Sequence, residues 1–136
     1  MLDTNTLIYF LDGEEPYFGV LVPVFRRIQE GTLRVIVSVI TEAELLVRPE
    51  RDANEEARER IADLLSEDGI EVVPVERRIA RRAAALRGRT RLKLADAIIV
   101  ATAIETGCDA IVGNDGEWAK KTIDFPFIRL DDVIAK

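Results

Sequence analysis

Asp96 is the single charged residue in the run Leu94–Ile104 (LADAIIVATAI), an otherwise apolar or small-residue stretch. A carboxylate is costly to bury unless a cation, a hydrogen-bond network or a metal accompanies it. Acids stand at three further places where an α/β chain turns: Asp3, the pair Glu42 and Glu44, and Asp115. If the fold gathers them, they are natural ligands for hard, oxygen-preferring cations such as Mg²⁺ and Mn²⁺. Metal-assisted hydrolysis is the chemistry such a cluster would serve.

The residues that are scarce narrow the alternatives. The chain has no histidine and one cysteine, Cys108. Ser-His and Cys-His nucleophilic systems, His-bearing zinc sites and an intramolecular disulfide are therefore excluded. Ser38 and Ser66 are the only serines, and neither lies in a G-x-S-x-G turn. No P-loop or dinucleotide-binding glycine pattern is present. A lone cysteine, no signal segment and no apolar run of membrane-spanning length together predict a cytoplasmic protein.

Taken singly, each acid has an ordinary structural use. Asp3 suits the N-cap of a helix beginning near Asn5. Thr41-Glu42-Ala43-Glu44 has capping-box spacing, with Glu44 reaching back to the Thr41 amide. Asp115, between Asn114 and Gly116, is normal turn chemistry. Asp96 could lean on its helix N-terminus or on Lys93 one turn earlier, which is weak compensation if its apolar neighbours are buried. Joint occurrence carries the inference.

The elements that must position these acids alternate in type. Helical spacing predicts helices over Asn5–Leu11, Tyr17–Glu30, Ile40–Val47 (ending before Pro49), Glu55–Leu65, Glu76–Arg87 and Leu92–Thr106. Short β-branched runs predict strands at Arg34–Val37, Ile70–Val73, Ala110–Val112 and Phe127–Leu130, before a short C-terminal helix. This alternation is that of a parallel sheet with helices on both faces, an α/β/α three-layer sandwich. Sites in such sheets form outside the carboxyl ends of the strands, where Asp3, Glu42/Glu44 and Asp115 fall. With 136 residues, 48% hydrophobic and 32% charged, the chain reads as one domain over 1–136. The net charge of −6 argues against nonspecific coating of nucleic acid. Yet Arg77, Arg78, Arg81, Arg82, Arg87, Arg89, Arg91 and Lys93 crowd one stretch. They form either a solvated helix face with a basic loop or a phosphate-contacting rim beside the acids.

Four segments, LDTNTLIYFL (Leu2–Leu11), SVITEAELL (Ser38–Leu46), LADAIIVATAIETG (Leu94–Gly107) and GND (Gly113–Asp115), resemble the PIN domain. Within it, they resemble the VapC-type toxin ribonucleases of bacterial toxin–antitoxin pairs. The resemblance implies metal-binding and catalytic roles for Asp3, Glu44, Asp96 and Asp115, and selects Glu44 over Glu42. It implies that Asn5 and Asn114 orient the carboxylates from behind; if the basic stretch is a phosphate-contacting rim, its Arg87, Arg89, Arg91 and Lys93 are the candidate RNA contacts. It further implies Mg²⁺- or Mn²⁺-dependent RNA cleavage, homodimers and a small cognate antitoxin that occludes the site.

Two departures bear on this expectation. Only Met1 and Leu2 precede Asp3, where the family has several more apolar residues, which predicts a short central strand that leaves its neighbours underpaired, from a misassigned start codon or a trimmed chain. Gly113 stands where the family commonly has Thr or Ser, which predicts a lost hydrogen bond and weaker activity. Two rivals remain: a PIN-like RNA- or partner-binding module with weakened catalysis, and a haloacid-dehalogenase-like phosphatase. The phosphatase would want an acid at Asn5.

Overall fold

Side chains along a strand point alternately to the two faces of a sheet, and here that alternation splits the apolar residues into two cores. Met1, Ile36, Val73 and Ile111 face one core, built mainly from α5 (Arg77–Thr90) and α6 (Leu94–Glu105). Leu2, Val35, Val37, Val72 and Val112 face the other. That second core receives α1 (Thr4–Asp12), α2 (Tyr17–Gln29), α3 (Val39–Arg51) and α4 (Glu55–Leu65). The computed structural model describes residues 1–121 and 124–136 and has the three-layer α/β/α arrangement expected from the sequence.

Among the described residues all strand pairing is parallel. Strand β1 (Val35–Ser38) pairs with β2 (Ile70–Val73) in the register Val35↔Ile70, and β3 (Ile111–Gly113) pairs with β4 (Phe127–Arg129) in the register Ile111↔Phe127. Met1–Asp3 joins the two halves. Leu2 bridges Val112 in parallel and donates its N–H to Ile36 O at 3.3 Å. Asp3 N–H donates to Val112 O at 3.0 Å, and Val112 N–H to Met1 O at 2.9 Å. The order is therefore β2, β1, the Met1–Asp3 segment, β3, β4. The short segment expected to leave its neighbours underpaired is bonded to both of them, and it delivers Asp3 to the carboxyl end of the sheet.

The helices follow their predicted spans with instructive exceptions. Helix α3 does not stop before Pro49 but runs through it to Arg51. Proline forfeits one hydrogen bond in a helix, and here its ring is buried near the helix end, where packing offsets that loss. The predicted Thr41 capping box is not the cap of α3. Ser38 caps it, accepting from Ile40 N–H at 3.1 Å, and Thr41 is fully buried in the first turn. Helix α5 continues past Arg87 to Thr90 and closes on Arg91 in the left-handed conformation at φ 60°. A short helix, α7 (Gly116–Lys121), follows the Asn114-Asp115 turn where the sequence predicted only a turn, and α8 (Leu130–Ile134) ends the fold.

Candidate active site

Each acid reaches the same end of the sheet by a different route. Asp3 leaves the Met1–Asp3 segment and caps α1, its Oδ1 accepting from Thr6 N–H at 2.8 Å. Asp96 lies in the first turn of α6. Asp115 follows β3 and accepts from Glu117 N–H at 2.8 Å, starting α7. Glu44 projects from the second turn of α3 toward α1, where the Thr4 hydroxyl donates to its Oε1 at 2.7 Å. Thr4 Oγ1 is also 3.1 Å from Thr41 Oγ1, so the α1 N-terminus and α3 meet through this polar contact. Asp3, Glu44, Asp96 and Asp115 line one cavity of about 270 Å³, with Thr4, Asn5 and Trp118 on its walls. Glu42 is not among the residues that line it.

The electrostatics reflect this company. Asp3 is 3% exposed, and burial pushes its carboxyl up to about 6, against hydrogen bonds from Thr6 and the Asn114 backbone that pull it down. Asp115 adds a smaller upward push. Asp96 is also raised, first by desolvation, with the Trp118 side chain hydrogen-bonding to it and opposing the shift. Asp115 and Glu44 repel it, and Lys93 compensates least. Lys93 is thus a weak local excuse for Asp96, and the neighbouring acids outweigh it.

A profile of the PIN domain matches residues 1–123. The chain belongs to the PIN domain family. Solved structures similar to it include VapBC2 from Rickettsia felis bound to a promoter DNA fragment, at TM-score 0.75 and 18% identity over 95% of this chain and 96% of that one. A toxin–antitoxin complex from Klebsiella pneumoniae aligns at TM-score 0.71 and 25% identity over 95% of each chain. DNA-bound VapBC from Salmonella typhimurium aligns at TM-score 0.70 and 22% identity over 96% of each. A search of curated proteins finds no significant match.

The donor set of this PIN domain fits a hard divalent cation, being all oxygen and mostly carboxylate. Among the described residues no three acids stand close enough to hold one ion between them. Mg²⁺ needs no such cage, since it keeps several waters and takes one or two carboxylates.

The predicted supporting residues divide. Asn5 is exposed on the cavity wall. The Asn114 side chain turns away from the acids: its Nδ2 donates to Asp131 Oδ1 at 3.1 Å, and its Oδ1 accepts from Asp131 N–H at 3.0 Å. Its contact with Asp3 is through the backbone, which corrects the expectation that its amide orients a carboxylate. The side chain instead ties the β3 exit to α8, because both its donor and its acceptor find better partners there. Tyr17 OH (2.8 Å) and Arg129 Nη2 (2.9 Å) also donate to Asp131, holding its carboxyl below the usual range, chiefly through Tyr17.

The basic rim divides as well. Arg78 and Arg82 pair with Glu105 at 3.7 and 2.8 Å. The Arg87 guanidinium donates to Leu92 O and shapes the loop into α6. Arg89, Arg91 and Lys93 are exposed on that loop or just before it, close in sequence to Asp96. Sequence reasoning missed Thr4, Trp118 and Asp131. The first two lie beside recognised acids, within two or three residues, whereas nothing local marks Asp131.

Proposed function

We propose that this PIN domain is a divalent-metal-dependent endoribonuclease, the VapC-type toxin of a type II toxin–antitoxin pair. The observation that carries the reading is the single cavity lined by Asp3, Glu44, Asp96 and Asp115, each from a different segment at the carboxyl end of the sheet. One or two of Asp3, Asp96 and Asp115 would hold each of one or two Mg²⁺ or Mn²⁺ ions, with waters completing the shell and Glu44 bound directly or through water. When bound, the cation supplies positive charge against the phosphodiester and makes a water acidic enough to attack it at neutral pH. Burial and mutual repulsion push Asp3 and Asp96 toward the protonated form, so they are poised to ionise when a cation arrives. Thr4 aims Glu44 by donating to one of its oxygens. Trp118 lines the same cavity and acts on Asp96 against its raised pKa. Arg89, Arg91 and Lys93 would contact substrate phosphates, with Arg87 holding their loop.

The Klebsiella and VapBC likenesses support a small cognate antitoxin as partner. A larger cleft of about 510 Å³ between α1, α3 and α4 shares Ile8 and Glu44 with the acidic cavity, so a segment seated there would border the acids. The reading includes a homodimer working in the cytoplasm, with the domain spanning 1–136. Among the described residues no helix is long and apolar enough to cross a membrane. The test is RNA cleavage by wild type and Asp96→Asn purified side by side, with Mn²⁺ or EDTA. Metal-dependent cutting by the wild type alone is expected, and equal cutting by both would sink the assignment.

A further inference from the structure

Gly113 ends β3 directly against the buried carboxylate of Asp3. A Cβ at this position would stand 2.8 Å from Asp3 Cγ, closer still to Oδ2, and 3.0 Å from Phe127 Cε2. Carbon atoms do not pack that closely, so something would have to move. Asp3 has little freedom to do so: its Oδ1 is held by Thr6 N–H at 2.8 Å and its own N–H by Val112 O at 3.0 Å. Gly113 is fixed in turn by its strand register opposite Arg129.

We propose that Gly113 is a positioning residue for Asp3. Its missing side chain is the seat in which the carboxylate rests, between the α1 cap and the end of β3. The sequence assigned Gly113 a deficit, the loss of a hydroxyl able to bond a carboxylate. The geometry assigns it a different role, because a side chain at 113 and the Asp3 carboxylate compete for one space. In this chain's geometry a side chain there would push the carboxylate off the α1 cap or bend the strand that carries Asn114 and Asp115. The consequence for metal binding rests on the nuclease reading, but the steric coupling does not.

A double-mutant cycle tests it: wild type, Gly113→Ala, Asp3→Ala and the double variant, unfolded with urea in EDTA and titrated with Mn²⁺ by calorimetry. In the wild-type background, Gly113→Ala is expected to lower the folding equilibrium constant by about tenfold or more. In the Asp3→Ala background most of that loss should vanish, since the two closest clashes are gone and only the 3.0 Å contact with Phe127 remains. Mn²⁺ affinity of Gly113→Ala should fall roughly ten- to a hundredfold. Equal losses in both backgrounds, or unchanged stability and Mn²⁺ affinity, would overturn the proposal. If Gly113→Ala does not fold, the double variant decides: restored folding supports the seat, and failure of both overturns it. A wild type that binds no Mn²⁺ would defeat the nuclease reading while the urea cycle still tests the seat.

Discussion

Replacing Asp3 with Asn should make the metal-free protein more stable. Asn is as good an N-cap as Asp, so the bond from Thr6 N–H survives while a buried charge is removed. The Asp3 carboxyl stands at about 6 against an ordinary 3.8. At roughly 1.4 kcal/mol per pH unit, ionising it in the fold costs about 3 kcal/mol at pH 8. The hydrogen bond from the Asn114 backbone is lost if the new amide NH₂ faces it, which returns about 1 kcal/mol. A net gain of about 2 kcal/mol corresponds to a Tm increase of about 6 °C for a chain of this size. The folded-state value is the raised one, so the fold binds the extra proton. Stability tied to Asp3 is fully present below about pH 4 and lost as pH rises through about 6. The advantage of Asp3→Asn should therefore be complete at pH 8 and absent near pH 4. Thermal melts by circular dichroism in EDTA across that range would measure it. No gain at pH 8, or a gain of equal size at pH 4, would refute the reasoning.

Other outcomes follow from the same geometry. Millimolar Mn²⁺ should raise the wild-type Tm by binding the native state, and Asp96→Asn should lose most of that increase in the same melt. Thr4→Val removes the donor that aims Glu44 and should cut RNA cleavage roughly tenfold with little change in urea midpoint. Asp131→Ala frees the Asn114 side chain and should weaken Mn²⁺ binding about tenfold by calorimetry, with Tyr17→Phe having a smaller effect. Arg89→Ala with Arg91→Ala should raise KM and flatten its salt dependence while leaving kcat nearly unchanged, as phosphate contacts do.

Much of the fold was legible because its signals are local. Helical periodicity and turn residues placed α4 and β2 at their observed bounds, and strand–helix alternation gave the parallel three-layer plan. The four acids could be grouped because strand ends of a parallel sheet share one edge. Features set by distant partners were not readable. Ser38 caps α3 in place of the Thr41 box because Thr41 is buried against α1, a contact between residues far apart in the chain. The Asn114 side chain turns to α8 because Asp131 offers it both a donor and an acceptor, and no spacing rule predicts that. Pro49 is tolerated inside α3 because it packs into the core near the helix end. Gly113 shows the same limit at atomic scale: its identity suggested a missing hydroxyl, and only the position of Asp3 reveals that the space is filled.

The central claim is that the cavity lined by Asp3, Glu44, Asp96 and Asp115 binds a divalent cation. Diffraction from crystals soaked in Mn²⁺, with data collected at the manganese absorption edge, tests it most directly. The account predicts an anomalous peak inside the acidic cavity, within coordination distance of Asp96 and at least one of Asp3 and Asp115, and no such peak in Asp96→Asn crystals. A fully soaked wild-type crystal with no peak in that cavity would contradict it.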